Sequence, residues 1–99
     1  MTFDGAMSDP FDKFRQLLEE TYLFPANYNH KFIGKNSELF RGGVAEFEGK
    51  FVALKRVGER ASANGNHVAL TYDFLAGTAD DVIELAKATK QIPDLLYIL

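Results

Sequence analysis

The sequence contains no cysteine. Disulfide frameworks, cysteine-based zinc sites and thiol nucleophiles are therefore excluded. The same absence fits a cytoplasmic protein, which is the location expected. Tryptophan is missing as well, and proline occurs only three times. No apolar run approaches the ~20 residues that a membrane-spanning helix needs, so no membrane partner is expected. The opening MTFDGAMSDP has neither the basic nor the apolar stretch of a secretory leader. An excess of positive charge is also lacking. Lys and Arg number 11 against 14 Asp and Glu, for a net charge of −3. That balance argues against a nucleic-acid partner, which favours a basic face.

What is present suits one small globular domain. The chain has 99 residues, of which 46% are hydrophobic and 25% charged. A chain of this length buries enough surface for one core. Nine Phe and four Tyr supply much of the apolar area.

Periodicity divides the chain into elements. Residues 1–9 read as a flexible tail and 10–99 as a single domain. Asp9 suits a helix N-cap and Pro10 a first helical position, and Phe11, Phe14, Leu17 and Leu18 form one apolar stripe. A helix is expected over about 10–21. Pro25 ends it, and Tyr28, His30 and Phe32 then alternate with Asn29, Lys31 and Ile33 in a strand over 27–34. Phe40, Val44, Phe47 and Phe51 share a helical face behind a cap at Asn36 or Ser37. We expect that helix to run through Gly42 and Gly43 and to close at Gly49, with the paired glycines where another backbone comes close. A second strand over 51–62, with a bulge near Gly58, leads through Asn64-Gly65 into a third. There Val68, Leu70, Tyr72 and Phe74 lie on one face and His67, Ala69, Thr71 and Asp73 on the other. Thr78 and Asp81 make a capping box for a helix whose inner face is Val82, Leu85, Ala86 and Thr89. LLYIL closes the chain as a strand, expected to be buried because it is apolar throughout.

The fold class that follows is α+β. A ferredoxin-like βαββαβ order stands behind an extra N-terminal helix. Right-handed crossovers give a four-stranded antiparallel sheet in order 4-1-3-2, with both core helices on one face.

FPANYNHKFIG, RASANGNHVALTYDF and TADDVIELAKATKQIPDLLYIL together resemble the YbeD-like family of small bacterial proteins. The matching positions are Phe24-Pro25, the hairpin from Ser62 to His67, and Pro93 to Leu99, within a stretch covering about 23–99. His67 stands where that family has an aromatic residue. The resemblance implies a sandwich like that of ACT-type regulatory domains, and regulation or binding rather than chemistry. It brings no catalytic residue and no cofactor.

The candidate sites are few. Ser62, Asn64, Asn66 and His67 cluster, but no third group is placed to orient the imidazole, so the cluster reads as a turn. His30 and His67 fall on opposite faces of the sheet and cannot share a metal. Asp80 and Asp81 are adjacent on a helix and diverge, so they serve its dipole. Gly34, Lys35, Asn36 and Ser37 place a glycine, a lysine and a helix N-terminus together. They are the candidate ligand-binding residues; no catalytic or metal-binding residue is assigned. Lys55, Arg56 and Arg60 read as a solvated strand edge. The expected function is a small non-enzymatic regulatory or interaction module, binding a protein partner or a small ligand, and a homodimer is possible. The alternatives are an enzyme with its active site between subunits, and an RNA-binding module.

Overall fold

The computed structural model describes residues 9–99. The tail expected at the N-terminus lies outside the described residues up to position 8. The elements run α1 (Asp12–Thr21), β1 (Ala26–Lys35), α2 (Glu38–Gly49), β2 (Leu54–Ala61), β3 (His67–Ala76), α3 (Ala79–Thr89) and β4 (Leu95–Ile98). The four strands form one antiparallel sheet in order β2-β3-β1-β4. Read from its other edge this is the expected 4-1-3-2.

The central pair organises the molecule. β1 and β3 align without interruption from Ala26 opposite Ala76 to Lys35 opposite His67. Successive side chains on a strand take opposite faces, so one face collects His30, Phe32, Val68, Leu70, Tyr72 and Phe74, all buried. α2 contributes Phe40, Val44 and Phe47 to this core, and α3 contributes Val82, Ile83 and Leu85. Phe32 sits at the centre. Its ring stacks on Tyr72 at 5.4 Å and meets Phe47 and Phe40 edge-on at 5.6 and 6.2 Å. Burying one such ring is worth roughly 2–3 kcal/mol, so this cluster dominates the apolar stabilisation.

Local chemistry starts the helices. Ser37 caps α2 by accepting a bond from the Phe40 amide at 3.1 Å. Thr78 and Asp81 form the expected capping box on α3. α2 does run through Gly42 and Gly43. A Cβ on Gly43 would come within 2.5 Å of the Pro93 ring, which shows why that position is glycine; Gly42 faces open space. α1 lies along α3, with Leu18 in the common core and Phe11 and Phe14 packed beside it. Arg15 bonds Asp80 at 2.8 Å, and the ammonium groups of Lys87 and Lys90 each sit 5.2 Å from the centre of the Phe11 ring.

Several local expectations are corrected. α1 begins at Asp12, because Asp9 caps a preceding turn through the Phe11 amide at 2.9 Å. Leu17 is exposed and does not share the stripe. β2 begins at Leu54, since Phe51 stays half-buried against Phe47 and Phe74 at the end of α2. Gly49 remains helical and Lys50 forms the cap. Ile83, not Ala86, completes the inner face of α3. The largest correction concerns β4. Leu96, Tyr97, Ile98 and Leu99 are 38–65% exposed, because β4 lies at a sheet edge and pairs only with β1.

Candidate functional site

The end of β1 is a junction. Gly34 lies under the Phe40 ring, where a Cβ would meet ring carbons at 2.1 Å, so only glycine fits. Lys35 donates its amide to the Asp94 carbonyl at 3.0 Å, and its side chain projects into solvent. Asn36 reaches across to the β2–β3 hairpin. Its amide bonds the Asn66 carbonyl at 2.9 Å, and its side-chain nitrogen bonds the Gly65 carbonyl at 3.0 Å. The Ser37 hydroxyl donates to the Asp94 carboxylate at 2.6 Å while it caps α2. Asp94 is the one non-glycine residue with positive φ, at 61°, among the described residues. The fold thus brings Gly34, Lys35, Asn36 and Ser37 together as expected of neighbours. It also supplies the N-terminus of α2 with a carboxylate from the chain itself.

The hairpin cluster resolves into turn chemistry. The Ser62 hydroxyl donates to Asn64 Oδ1 at 2.8 Å and accepts from the His67 amide at 3.1 Å. Asn64 Oδ1 also accepts from the Asn66 amide, and Gly65 takes φ of +77°. The His67 imidazole takes no part in these bonds. Among the described residues no three His, Asp or Glu side chains gather as metal ligands.

Polar groups on the covered face are used inside the fold. His30 Nε2 lies 2.9 Å from Thr89 Oγ1. That hydroxyl gives its single proton to the Leu85 carbonyl at 2.7 Å, so Nε2 must be the donor. Nδ1 has no hydrogen-bond partner among the described residues. Burial pulls the imidazole pKa down to about 4, and the ring is neutral at pH 7. The Tyr72 hydroxyl donates to Glu48 at 2.6 Å, and Arg56 bonds the same carboxylate at 2.7 Å. Burial first, then the Glu48 carboxylate, raise the Tyr72 phenol well above its ordinary value. Arg56 therefore belongs to the covered side. The bulge between Arg56 and Gly58 is what separates it from Arg60.

Among the described residues no helix covers the other face of the sheet. Register places Asn29, Lys31, Ile33 and Lys35 of β1 there, beside His67, Ala69, Thr71 and Asp73 of β3. Lys55 and Arg60 of β2 join them, and Tyr97 of β4 stands opposite Ile33. Lys31, Lys35, Lys55 and Arg60 form no ion pair among the described residues. Asp73 is the only acidic side chain that these strands direct to this face. A nearly apolar cleft of about 230 Å³ opens at the hairpin end, lined by Ile33, Ala69, His67, Ser62 and Arg60. Alternation in the sequence assigns most of these positions. The cleft itself could not be read there, because β1 and the hairpin form it jointly.

No match emerges from comparison with curated proteins or with solved structures. No helix among the described residues is long and apolar enough to cross a membrane. Residues 19–99 do match a family described as "Protein of unknown function (DUF493)". The match runs from the end of α1 through β4 and takes in both the junction and the open face, so the chain belongs to this family, the YbeD family that its turn residues resemble.

Proposed function

We propose that the protein is a small non-enzymatic interaction or regulatory module whose open sheet face receives a partner. In this reading the βαββαβ core is a ferredoxin-like sandwich of the kind used by ACT-type regulatory domains, acting in the cytoplasm. One observation carries the proposal. On a chain of net charge −3, this face gathers Lys31, Lys35, Lys55 and Arg60 against Asp73 alone, around an apolar cleft. Cations left without counter-charges beside exposed apolar area favour association with a complementary surface. The buried His30 Nε2 and the Tyr72 hydroxyl, by contrast, bond Thr89 and Glu48 within the fold. The Gly34–Ser37 junction supports this face from one end, and Lys35 is the residue of that set that takes part in binding.

The test is affinity capture from the native cell with the intact chain and with a Lys31→Glu/Arg60→Glu variant. A partner retained by the former and lost from the latter, with unchanged circular dichroism, is the expected result. Equal retention by both removes the face from the function. Turnover of a substrate by the purified chain, abolished by a single substitution, replaces the reading with an enzymatic one.

A further inference from the structure

We infer that the occupant of the open face is an acidic polypeptide segment carrying one bulky apolar side chain, which enters the cleft lined by Ile33, Arg60 and Ala69. This rests on the interaction reading above and narrows its partner. Three observations define the occupant.

The first is charge. Lys31 and Lys35 lie along β1, and Lys55 and Arg60 along β2, so the cations flank β3 from both sides. A segment crossing the central strands meets positive charge at either margin. Glu48, Glu59, Asp80 and Glu84 are held in ion pairs within the chain, whereas Glu19, Glu20, Glu38 and Glu46 form none among the described residues. A second copy of the chain is therefore an outcome that the test separates from a partner peptide.

The second is the size and lining of the cleft. An apolar cavity of about 150 Å³ accepts a benzene ring. At about 230 Å³, the present cleft accepts one aromatic or branched aliphatic side chain and little more. Its walls are almost wholly apolar, with Arg60 at the rim. A carboxylate next to the inserted side chain therefore meets a guanidinium, which bonds it in a two-pronged manner.

The third observation separates a polypeptide from a nucleic acid. Sheets that read single strands stack bases on aromatic rings of their central strands. The central strands here present Asn29, Lys31, Ile33, Ala69, Thr71 and Asp73 instead. Tyr97 is the aromatic side chain that the strands direct outward on this face, and it stands on the edge strand β4.

The experiment uses the intact chain labelled with nitrogen-15. It is titrated with a short glutamate-rich peptide bearing one central Phe, with the same peptide bearing Ala in place of Phe, and with a short oligo-uridine. The expected result is amide shifts at Ile33, Arg60, His67 and Ala69 on adding the Phe peptide. Affinity should fall about tenfold with the Ala peptide, the difference that one buried apolar anchor makes. It should fall at least as far for Arg60→Glu, and a Lys55→Glu variant, which leaves the cleft untouched, should weaken binding in a salt-dependent way. The inference is overturned if no peptide shifts these amides, if the shifts map to the helices, or if oligo-uridine binds more tightly. It is also overturned if sedimentation shows self-association that occupies the face. Should native-cell capture depend on Lys31 and Arg60 while the Phe peptide fails to bind, the peptide chemistry is wrong and the interaction reading stands. Should capture ignore those residues, the interaction reading itself falls.

Discussion

The two faces of the sheet are built from the same strands and obey opposite rules. On the covered face the buried polar side chains bond within the fold: His30 Nε2 to Thr89, with only Nδ1 left without a partner among the described residues, and Tyr72 to Glu48, which Arg56 also holds. On the open face the cations lack such partners among the described residues, and Ile33, Ala69 and Tyr97 stand among them. Adjacent residues of one strand thus serve different ends. Phe32 holds the molecule together, whereas Ile33 and Lys31 are positioned by that framework and add little to it. Core packing and outward charge are divided along a two-residue period.

The largest expected contrast is between neighbours. Phe32→Ala removes the central ring of the core and should cost about 3–5 kcal/mol, as large-to-small core changes do. Ile33→Ala, on the half-buried opposite side, should cost less than about 1.5 kcal/mol. Urea unfolding of both variants measures the difference. Equal costs would mean that the open face is a second core and not a docking surface.

Acidity should act through His30. The folded-state pKa of His30 is lowered to about 4, from an ordinary value near 6.5, by burial. The unfolded chain therefore binds the proton more readily, and stability must fall as pH drops from about 6.5 towards 4. At roughly 1.4 kcal/mol for each pH unit, this group accounts for about 3 kcal/mol by the bottom of that window. Replacement His30→Gln should remove that share of the pH dependence, whatever it does to stability at neutral pH. Thermal melts across the window distinguish the cases, and a steep acid profile retained by His30→Gln would assign the dependence to carboxylates.

Gly34→Ala probes the boundary between the faces. The added carbon would fall 2.1 Å from the Phe40 ring, so the ring must move. Overpacking of this kind costs about 1–3 kcal/mol. The double variant with Phe40→Leu should recover part of the loss. A double-mutant cycle showing no coupling would mean that Phe40 swings away freely.

The fold was legible in the sequence wherever one face of an element was covered and the other was not. His30, Phe32, Val68, Leu70, Tyr72 and Phe74 announce their side by alternation, and Thr78 with Asp81 announces a helix start. β4 was legible as a strand and in its place in the sheet, but its exposure was not, because an unbroken apolar run looks the same in a buried strand as in an exposed edge. The junction at Asn36 and Ser37 was visible as a helix cap and nothing more. Its ties to Gly65 and Asp94 span 29 and 57 positions, and no local pattern encodes a partner that distant. The placement of Arg56 was hidden for another reason. The bulge beside Gly58 breaks the alternation that would have assigned it. The open face was half visible: its residues could be counted, while its cleft arises only when β1 is set against the hairpin.

The uninterrupted ladder between β1 and β3 carries one further implication. Both irregularities of the sheet, at Ile33/Gly34 against β4 and at Arg56/Gly58 against β2, involve the flanking strands, while the central pair stays in step over ten positions. A slip of β1 by one residue against β3 would turn Lys31 inward and send Phe32 out to water while Tyr72 stayed inside. The ladder therefore works as a ruler that admits no intermediate settings: the outward pattern of charges can be rewritten side chain by side chain, but it cannot be shifted along the strand without dismantling the interior.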